Sequence, residues 1–278
     1  MLIGGDGLIG RALAQTLQKS GVQVATTSRK GSEGSIALDL SQSIRLEGLP
    51  DCDTLYLCAA ISRFAACEQD PALAKRVNVD ANIALAEHFL SRGAHVVFLS
   101  SNAVFNGQHE APAEDAPMCP ISLYGSLKAD AEAALTDIAR QYGAGLSIVR
   151  MTKVFSAQVP LLSGWLTKLR ANQVIDAFSD MTLSPISLAY AIEGLKRCGD
   201  RKLGGIAHLS GGTECSYAEF ATALARSVGR DTNLVSATPS PQSSAPVHNR
   251  LAMTHTATRL AMTPPGLDST LRDLLQAA

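Results

Sequence analysis

Tyr124 and Lys128 are the residues whose types and spacing most directly suggest chemistry. They stand four positions apart in a segment with helical periodicity, so their side chains share one face. A nearby ammonium stabilises a tyrosinate, and we therefore expect Lys128 to lower the pKa of Tyr124. Such a tyrosine suits proton donation to a carbonyl oxygen while a hydride reaches the carbon. The spacing alone is a modest signal, because short motifs of this kind also arise by chance.

Ser101 is a second candidate for the same chemistry. It follows a continuously apolar run, residues 95–100, of the kind found in strands that are covered on both faces. Ligands of open α/β sheets bind at the carboxyl ends of the strands. Ser101 is therefore predicted to hydrogen-bond the carbonyl oxygen that Tyr124 protonates; the alternative is a serine that only initiates a turn.

The glycine-rich segment 4–10 joins the first predicted strand to the first predicted helix. It fits both a GxGxxG and a GxxGxxG spacing. Glycines allow a tight turn and a close approach of the backbone to a pyrophosphate, and the helix N-terminus presents free N–H groups to the phosphates. A dinucleotide site is therefore predicted, with a merely structural turn as the alternative. Its predicted phosphate-binding residues are Gly4, Gly7, Leu8, Ile9 and Gly10.

The end of the second predicted strand indicates which dinucleotide is bound. An acidic residue there would bind the ribose 2′-hydroxyl of NAD, but this chain has Ser28, Arg29 and Lys30. Two cations favour a 2′-phosphate, so NADP(H) is favoured over NAD(H); a solvated basic turn is the alternative. Asp39, followed by Leu40, is predicted either to accept a hydrogen bond from the adenine or to be a simple turn aspartate.

Short apolar, β-branched runs alternate with longer segments of helical periodicity. This alternation predicts an α/β fold with a doubly wound parallel sheet, a Rossmann fold. The predicted strands are residues 1–4, 22–27, 54–59, 95–100 and 146–151, and the predicted helices are residues 8–19, 71–92 and 124–142.

After Arg150 the pattern loosens, and a smaller α/β C-terminal substrate lobe is predicted. The expected division is a dinucleotide-binding domain over residues 1–155 and a lobe over residues 156–278, partly interleaved with it. The stretch 236–247 is rich in Pro and Ser and is predicted to be a loop. Within the lobe, helices are predicted near residues 163–172, 188–197, 217–228 and 269–277, and strands near 174–178 and 205–209.

Composition narrows the classes of function. The 278 residues carry a formal net charge of −1, which gives no basis for sequence-independent nucleic-acid binding. There is no apolar run of membrane-spanning length and no secretory leader pattern, so a cytoplasmic protein is expected. The six cysteines show no metal-ligand spacing, so no metal site is predicted, and they read as free thiols of a reducing compartment.

Several motifs together resemble those of an extended short-chain dehydrogenase/reductase, and most closely the dTDP-4-dehydrorhamnose reductase branch. The resemblance covers nearly the whole chain. Its motifs are specific for the superfamily and suggestive for the branch. They are the glycine segment 4–10, Cys58-Ala59-Ala60, Val77-Asn78-Val79, residues 99–107, Tyr124-Gly125-Ser126-Leu127-Lys128, residues 205–212 and residues 246–251.

This resemblance implies a catalytic set of Ser101, Tyr124 and Lys128, with Lys128 also holding the nicotinamide ribose. It implies that Ala59 and Ala60 line the cofactor and that Asn78 holds the nearby edge of the sheet. It further implies a nucleotide-sugar substrate in a cleft between the lobes. Members of the group commonly form homodimers through helices that include the tyrosine helix.

Two departures bear on the substrate. This chain has Asn102 where the rhamnose reductases usually carry an aspartate, and Ala65 where they carry an acidic residue. A diphosphate-sugar substrate needs cations, and the candidates are Arg63, Lys153 and Arg250.

Three functions are compatible with these residues. The favoured one is an NADPH-dependent reductase of a nucleotide-linked keto-sugar, with Tyr124 as proton donor. The second is an NAD-dependent nucleotide-sugar epimerase, against which Arg29 and Lys30 count. The third is a non-catalytic cofactor-binding regulatory subunit, against which the intact Ser-Tyr-Lys set counts.

Overall fold

The computed structural model describes residues 1–32, 34–241 and 246–276. The strands are β1 Leu2–Ile3, β2 Thr26–Ser28, β3 Ser35–Ala37, β4 Thr54–Leu57, β5 His95–Ser101, β6 Leu146–Met151, β7 Val154–Phe155, β8 Ile175–Phe178, β9 Thr182–Leu183, β10 Ile186–Ser187, β11 Gly205–Leu209, β12 Cys215–Ser216 and β13 Val235–Thr238. The helices are α1 Leu8–Lys19, α2 Phe64–Gln69, α3 Pro71–Lys75, α4 Ala81–Leu90, α5 Leu123–Tyr142, α6 Pro160–Arg170, α7 Leu188–Asp200, α8 Tyr217–Ser227, α9 Thr254–Leu260 and α10 Leu267–Gln276.

A seven-stranded sheet with the order β11-β6-β5-β4-β1-β2-β3 organises the fold. β1 pairs in parallel with β2 and with β4, and the pairs β2–β3 and β4–β5 are also parallel. From β1 the chain adds β2 and β3 on one side of the sheet, and it then adds β4, β5, β6 and β11 on the other side. The strand order therefore reverses between β1 and β4. Ligands of doubly wound sheets bind at that reversal. The predicted Rossmann-type fold is confirmed.

The chain divides into two compact units. The first unit consists of Met1–Phe105, Pro117–Arg150 and Ile192–Ala207. Its core is formed by the apolar faces of the strands and of α4 and α5, and Leu55, Val96, Phe98 and Leu135 are fully buried there. Burial of that apolar surface is the main stabilising contribution in this unit.

The second unit consists of Asn106–Ala116, Met151–Ala191 and His208–Ala278. It has its own apolar core, in which Phe155 and Phe220 stack with ring centroids 4.9 Å apart and Trp165 packs 6.4 Å from Phe220. β8 and β13 pair in parallel. Trp165, the single tryptophan, is a core residue here.

The predicted helix over residues 71–92 is confirmed as a helical run from Pro71 to Leu90, with one irregular turn inside it. The structure has α3, then one wide turn with π-type hydrogen bonding over Arg76–Asp80, then α4. The wide turn frees carbonyls, and the side-chain amide of Asn82 donates to the carbonyls of Val77 and Asn78. Such turns are frequent at functional sites.

Two predictions need correction. Residues 22–25 are not strand, because β2 begins only at Thr26. Residues 236–238 of the predicted loop belong to β13, which pairs with β8 across the second unit; residues 242–245 of that loop lie outside the described part. The predicted C-terminal helix is present as α10, and Ala277 lies outside the described residues. The sequence predicts neither the helices α2 and α9 nor the short strands β3, β7, β9, β10 and β12.

No helix within the described residues is both long and apolar enough to cross a membrane. All six cysteines are free thiols, and Cys67, Cys198 and Cys215 are buried. In the same part of the chain, no group of His, Cys, Asp and Glu side chains is arranged to hold a metal ion.

Candidate active site

The glycine loop is packed so tightly that side chains are excluded at two positions. Gly4 has a φ of +86°, and a Cβ there would lie 2.9 Å from the Cβ of Ala59. A Cβ at Gly10 would lie 2.1 Å from the carbonyl oxygen of Gly4, so the first turn of α1 sits directly on the loop. Only glycine fits both contacts.

The N-terminus of α1 is open to an anion. Gly7 is the N-cap, and no side chain caps the helix or places an acidic group in its first turn. The backbone N–H groups at this end and the helix dipole therefore favour a phosphate. These residues fit the pyrophosphate of a dinucleotide.

Ala59 follows β4 and faces Gly4 across the point where the sheet order reverses. The loop after it is fixed by Asn78, whose amide oxygen accepts from the Ile61 N–H at 2.8 Å and whose amide nitrogen donates to the Ile61 carbonyl at 2.9 Å. The two hydrogen bonds of Asn78 therefore hold this loop in place. Ala60, which lies between Ala59 and Ile61 in the loop, is exposed.

The turn after β2 separates a buried serine from two exposed cations. The Ser28 hydroxyl bonds with the Ser35 hydroxyl at 2.7 Å and accepts from the Ser32 N–H at 2.9 Å. Arg29 and Lys30 are both exposed at the carboxyl end of the strand. This placement suits contact with a phosphate at the sheet edge.

Asp39 lies nearby in a compact turn. Its carboxylate accepts from the hydroxyl of Ser41 at 2.7 Å and from the N–H of Ser41 at 2.9 Å. These bonds, with a smaller contribution from the charge of Arg29, hold the pKa of Asp39 below its usual value. Leu40 beside it is buried.

Tyr124 and Ser101 are brought together by a close helix contact. Ser122 caps α5 by accepting from the Gly125 N–H at 3.1 Å. A Cβ at Gly125 would lie 2.1 Å from the carbonyl oxygen of Ala103, so α5 begins against the short helical turn that follows β5. The Ser101 side chain acts on the Tyr124 phenol and favours its ionised form, which lowers the pKa of Tyr124.

Lys128 lies one helical turn after Tyr124 and is buried. Its ammonium donates to the Leu99 carbonyl at 2.7 Å and sits 4.5 Å from the centroid of the Phe98 ring. Burial lowers the pKa of Lys128 to about 8, against the opposing effect of the Glu132 carboxylate.

The predicted lowering of the Tyr124 pKa is wrong for this structure. Burial raises the pKa of Tyr124 to about 12, and the Ser101 side chain offsets this only in part. The loss of phenolate hydration on burial raises the pKa by more than the Ser101 side chain lowers it. Tyr124 is therefore protonated throughout the neutral range.

Two features of this site were not predicted. Glu132, one turn beyond Lys128, is buried and paired with Arg150 at 2.7 Å. Phe64 is half exposed, and its ring centroid lies 5.4 Å from that of Tyr124. The periodicity of α5 could have indicated Glu132, whereas no local signal in the sequence indicates Phe64.

The candidate substrate cations divide between the units. Arg63 is exposed before α2 in the first unit. Lys153 and Arg250 belong to the second unit, where Lys153 is exposed and Arg250 pairs with Glu110 at 2.7 Å.

Comparison with known proteins identifies the family. Residues 1–278 match the family described as RmlD substrate binding domain. The dTDP-4-keto-6-deoxy-D-glucose reductase of Streptomyces niveus is 27% identical over 248 residues, which are 86% of this chain and 82% of that protein. Methionine adenosyltransferase 2 subunit beta of Pongo abelii is 31% identical over 127 residues, which are 46% of this chain and only 34% of that subunit.

Among solved structures, the dTDP-4-dehydrorhamnose reductase of Bacillus anthracis in complex with NADP superposes with a TM-score of 0.85 at 19% identity. The match covers 100% of this chain and 98% of that one. The family match confirms the predicted resemblance to the dTDP-4-dehydrorhamnose reductase branch, and the reductases among the matched relatives support the prediction of an NAD(P)-dependent oxidoreductase. The chain belongs to the RmlD substrate binding domain family, that of the dTDP-4-dehydrorhamnose reductases.

Proposed function

We propose that this chain is an NADPH-dependent reductase of a keto-sugar carried on a nucleotide. The observation that supports it best is the close placement of the pair Ser101 and Tyr124, where α5 begins against the turn that follows β5, with Lys128 one turn away at the same edge of the sheet as the glycine loop. The pair joins a proton donor to a second hydroxyl at the place where a doubly wound sheet binds its ligands.

In this proposal Tyr124 donates its phenolic proton to the carbonyl oxygen of the keto-sugar. The Ser101 hydroxyl hydrogen-bonds the same oxygen and so stabilises the negative charge that develops there. A pKa of about 12 keeps Tyr124 protonated at neutral pH, which suits the direction of reduction.

The cofactor, when bound, supplies the hydride. The backbone at Gly4, Gly7 and Gly10 would hold its pyrophosphate at the N-terminus of α1. Arg29 and Lys30 would contact its 2′-phosphate, and this is the reason to favour NADPH over NADH. The Lys128 ammonium would hold the nicotinamide ribose.

The substrate class comes from two relatives that match 86% and 78% of this chain and are named dTDP-4-keto-6-deoxy-D-glucose reductase and dTDP-4-dehydrorhamnose reductase. Arg63, an exposed cation of the first unit, would meet a diphosphate. Ala65 and Asn102 differ from the acidic residues usual in the rhamnose reductases, so the sugar is proposed only as a keto-sugar.

The test is a titration of the purified protein with NADPH and NADH, followed by a screen of nucleotide-linked keto-sugars for loss of NADPH absorbance. We expect tighter binding of NADPH and substrate-dependent oxidation. Tighter binding of NADH would instead favour an NAD-dependent epimerase. Binding of neither cofactor to the folded protein would contradict both enzymatic proposals.

A second candidate is a cofactor-binding regulatory subunit. Its support is the 31% identity over 127 residues to methionine adenosyltransferase 2 subunit beta. A protein of this kind would bind NADPH but oxidise it with none of the sugars, and it would bind a partner enzyme. Turnover with any keto-sugar would exclude this candidate as the main function.

Two expectations accompany the proposal: a cytoplasmic enzyme and a homodimer. The six free thiols agree with a reducing compartment. The molar mass in solution, measured by light scattering, tests the dimer, and a mass of one chain would exclude it.

A further inference from the structure

A buried ionic network lies directly behind the proposed catalytic residues. Glu132 and Arg150 have side chains only 2% exposed. The Arg150 guanidinium donates through Nε to both carboxylate oxygens at 3.1 Å and through Nη2 to Oε2 at 2.7 Å. The Ser100 hydroxyl also donates to Oε1 of Glu132.

This network connects three elements of the site. Glu132 is on α5, which also carries Tyr124 and Lys128 at the preceding turns of the same face. Ser100 immediately precedes Ser101 at the end of β5, and Arg150 is on β6. A single carboxylate thus joins the helix of the proton donor to the strand end that carries its hydroxyl partner.

Stability alone is a weak reason for such an arrangement. Burying two charges costs solvation free energy that their attraction often fails to exceed, and apolar residues of similar volume frequently serve as well. The placement of Glu132 therefore points to a role that depends on its charge.

The charges facing Lys128 show what that role is. Three groups act on its ammonium: Glu132 on α5, Cys58 after β4 and Cys67 on α2. Burial raises the pKa of both thiols, so both are neutral in the working pH range. Within the described residues, Glu132 is the carboxylate that favours the charged form of Lys128.

We propose that Glu132 is a positioning residue of this site, which keeps Lys128 charged and fixes the end of β5 against the tyrosine helix through Ser100 and Arg150. The inference rests on the proposed function, because the role of Lys128 belongs to it. Glu132 itself acts only through Lys128 and Ser101.

The test compares Glu132→Gln with the wild type in NADPH titrations from pH 6 to pH 10. In the wild type the affinity should weaken as Lys128 loses its proton near pH 8. In the variant this weakening should begin about one pH unit lower, because the opposite charge is gone. With a keto-sugar substrate, kcat should fall about tenfold while KM changes less than threefold.

The matched control is Glu193→Gln, which breaks a partly exposed Glu–Arg pair with Arg197 on α7. It should keep the wild-type pH profile and kcat. If Glu132→Gln binds NADPH with the wild-type pH dependence, the inference is wrong while the proposed function stands. If the wild type binds neither NADPH nor NADH, the proposed function fails, and the inference fails with it.

A second variant covers the case in which Glu132→Gln does not fold. Glu132→Leu combined with Arg150→Met removes both charges of the pair together, so Arg150 is not left as an unpaired ion in the interior. It should fold and show a lower pH midpoint for NADPH binding and a lower kcat. A double variant with the wild-type midpoint and kcat would overturn the inference.

Discussion

The tyrosine helix and the turn after β2 both carry cations of the proposed site, but they hold them in opposite ways. Lys128 is buried on α5, and its pKa is displaced to about 8 by that burial. Arg29 and Lys30 are exposed and reach solvent. A buried cation has properties that depend on its surroundings, whereas an exposed one acts mainly by its own charge. Chemistry and cofactor choice should therefore be separable by mutation.

The largest expected effect is that of Tyr124→Phe in the tyrosine helix. Removing the proton donor should lower kcat by about 10²- to 10⁴-fold, the usual contribution of a general acid. The Kd for NADPH should change less than threefold, because the ring remains. The measurement is steady-state NADPH oxidation beside a binding titration.

Tyr142→Phe is the matched control, since Tyr142 is exposed at the far end of the same helix. It should leave both constants unchanged. A Tyr124→Phe variant with near-wild-type turnover would show that another group supplies the proton and that α5 is not the chemical centre.

Arg29→Ala should have the next largest effect, and on binding alone. Loss of a charge-assisted bond to the 2′-phosphate should raise the Kd for NADPH about tenfold to a hundredfold. The Kd for NADH should change less than twofold, because NADH has no phosphate there. Both are measured by titration.

Arg140→Ala provides the control, because this exposed arginine pairs with Asp137 near the C-terminal end of α5. Equal weakening of NADPH and NADH by Arg29→Ala would mean that the turn after β2 does not distinguish the cofactors, and the contrast between the two regions would lose its basis.

The pH dependence of the reduction rate should report the ionisation of the buried Lys128. Above about pH 8 Lys128 loses its proton, so kcat/KM for reduction should fall, approaching about tenfold per pH unit. Ionisation of Tyr124 should cause no further change in kcat/KM below pH 10, because the pKa of Tyr124 is about 12. A profile of kcat/KM from pH 6 to pH 10 measures this, and a flat profile would contradict the assigned role of Lys128.

The sequence predicts the elements that local residues determine, and it misses those that depend on pairing with distant parts of the chain. α1 and β11 match the predicted bounds because periodicity and flanking residues define them locally. Residues 236–238 of β13 lie in a stretch that the sequence predicts to be a loop, because the stability of this strand comes from pairing with β8, some sixty positions earlier in the chain.

In the candidate site, too, the sequence does not show what depends on contacts between distant residues. The types and spacing of Ser101, Tyr124 and Lys128 are visible in the sequence, but the depth of burial that sets their pKa values is not. The pairing of Glu132 with Arg150 joins α5 to β6 and has no local signature. Motif spacing thus identifies the groups, and tertiary packing determines their ionisation.

The smallest expected effect concerns the cap that begins the tyrosine helix. Ser122→Ala removes the bond to the Gly125 N–H, which should lower the free energy of unfolding by about 1 kcal/mol. Because Tyr124 lies in the first turn, kcat should also fall severalfold. Ser216→Ala, which removes the equivalent cap of α8 in the second unit, should cost about the same free energy but leave kcat unchanged. Urea unfolding and steady-state rates measured on both variants decide this. Equal kcat values would mean that Tyr124 is held by its packing alone, with no contribution from the helix cap.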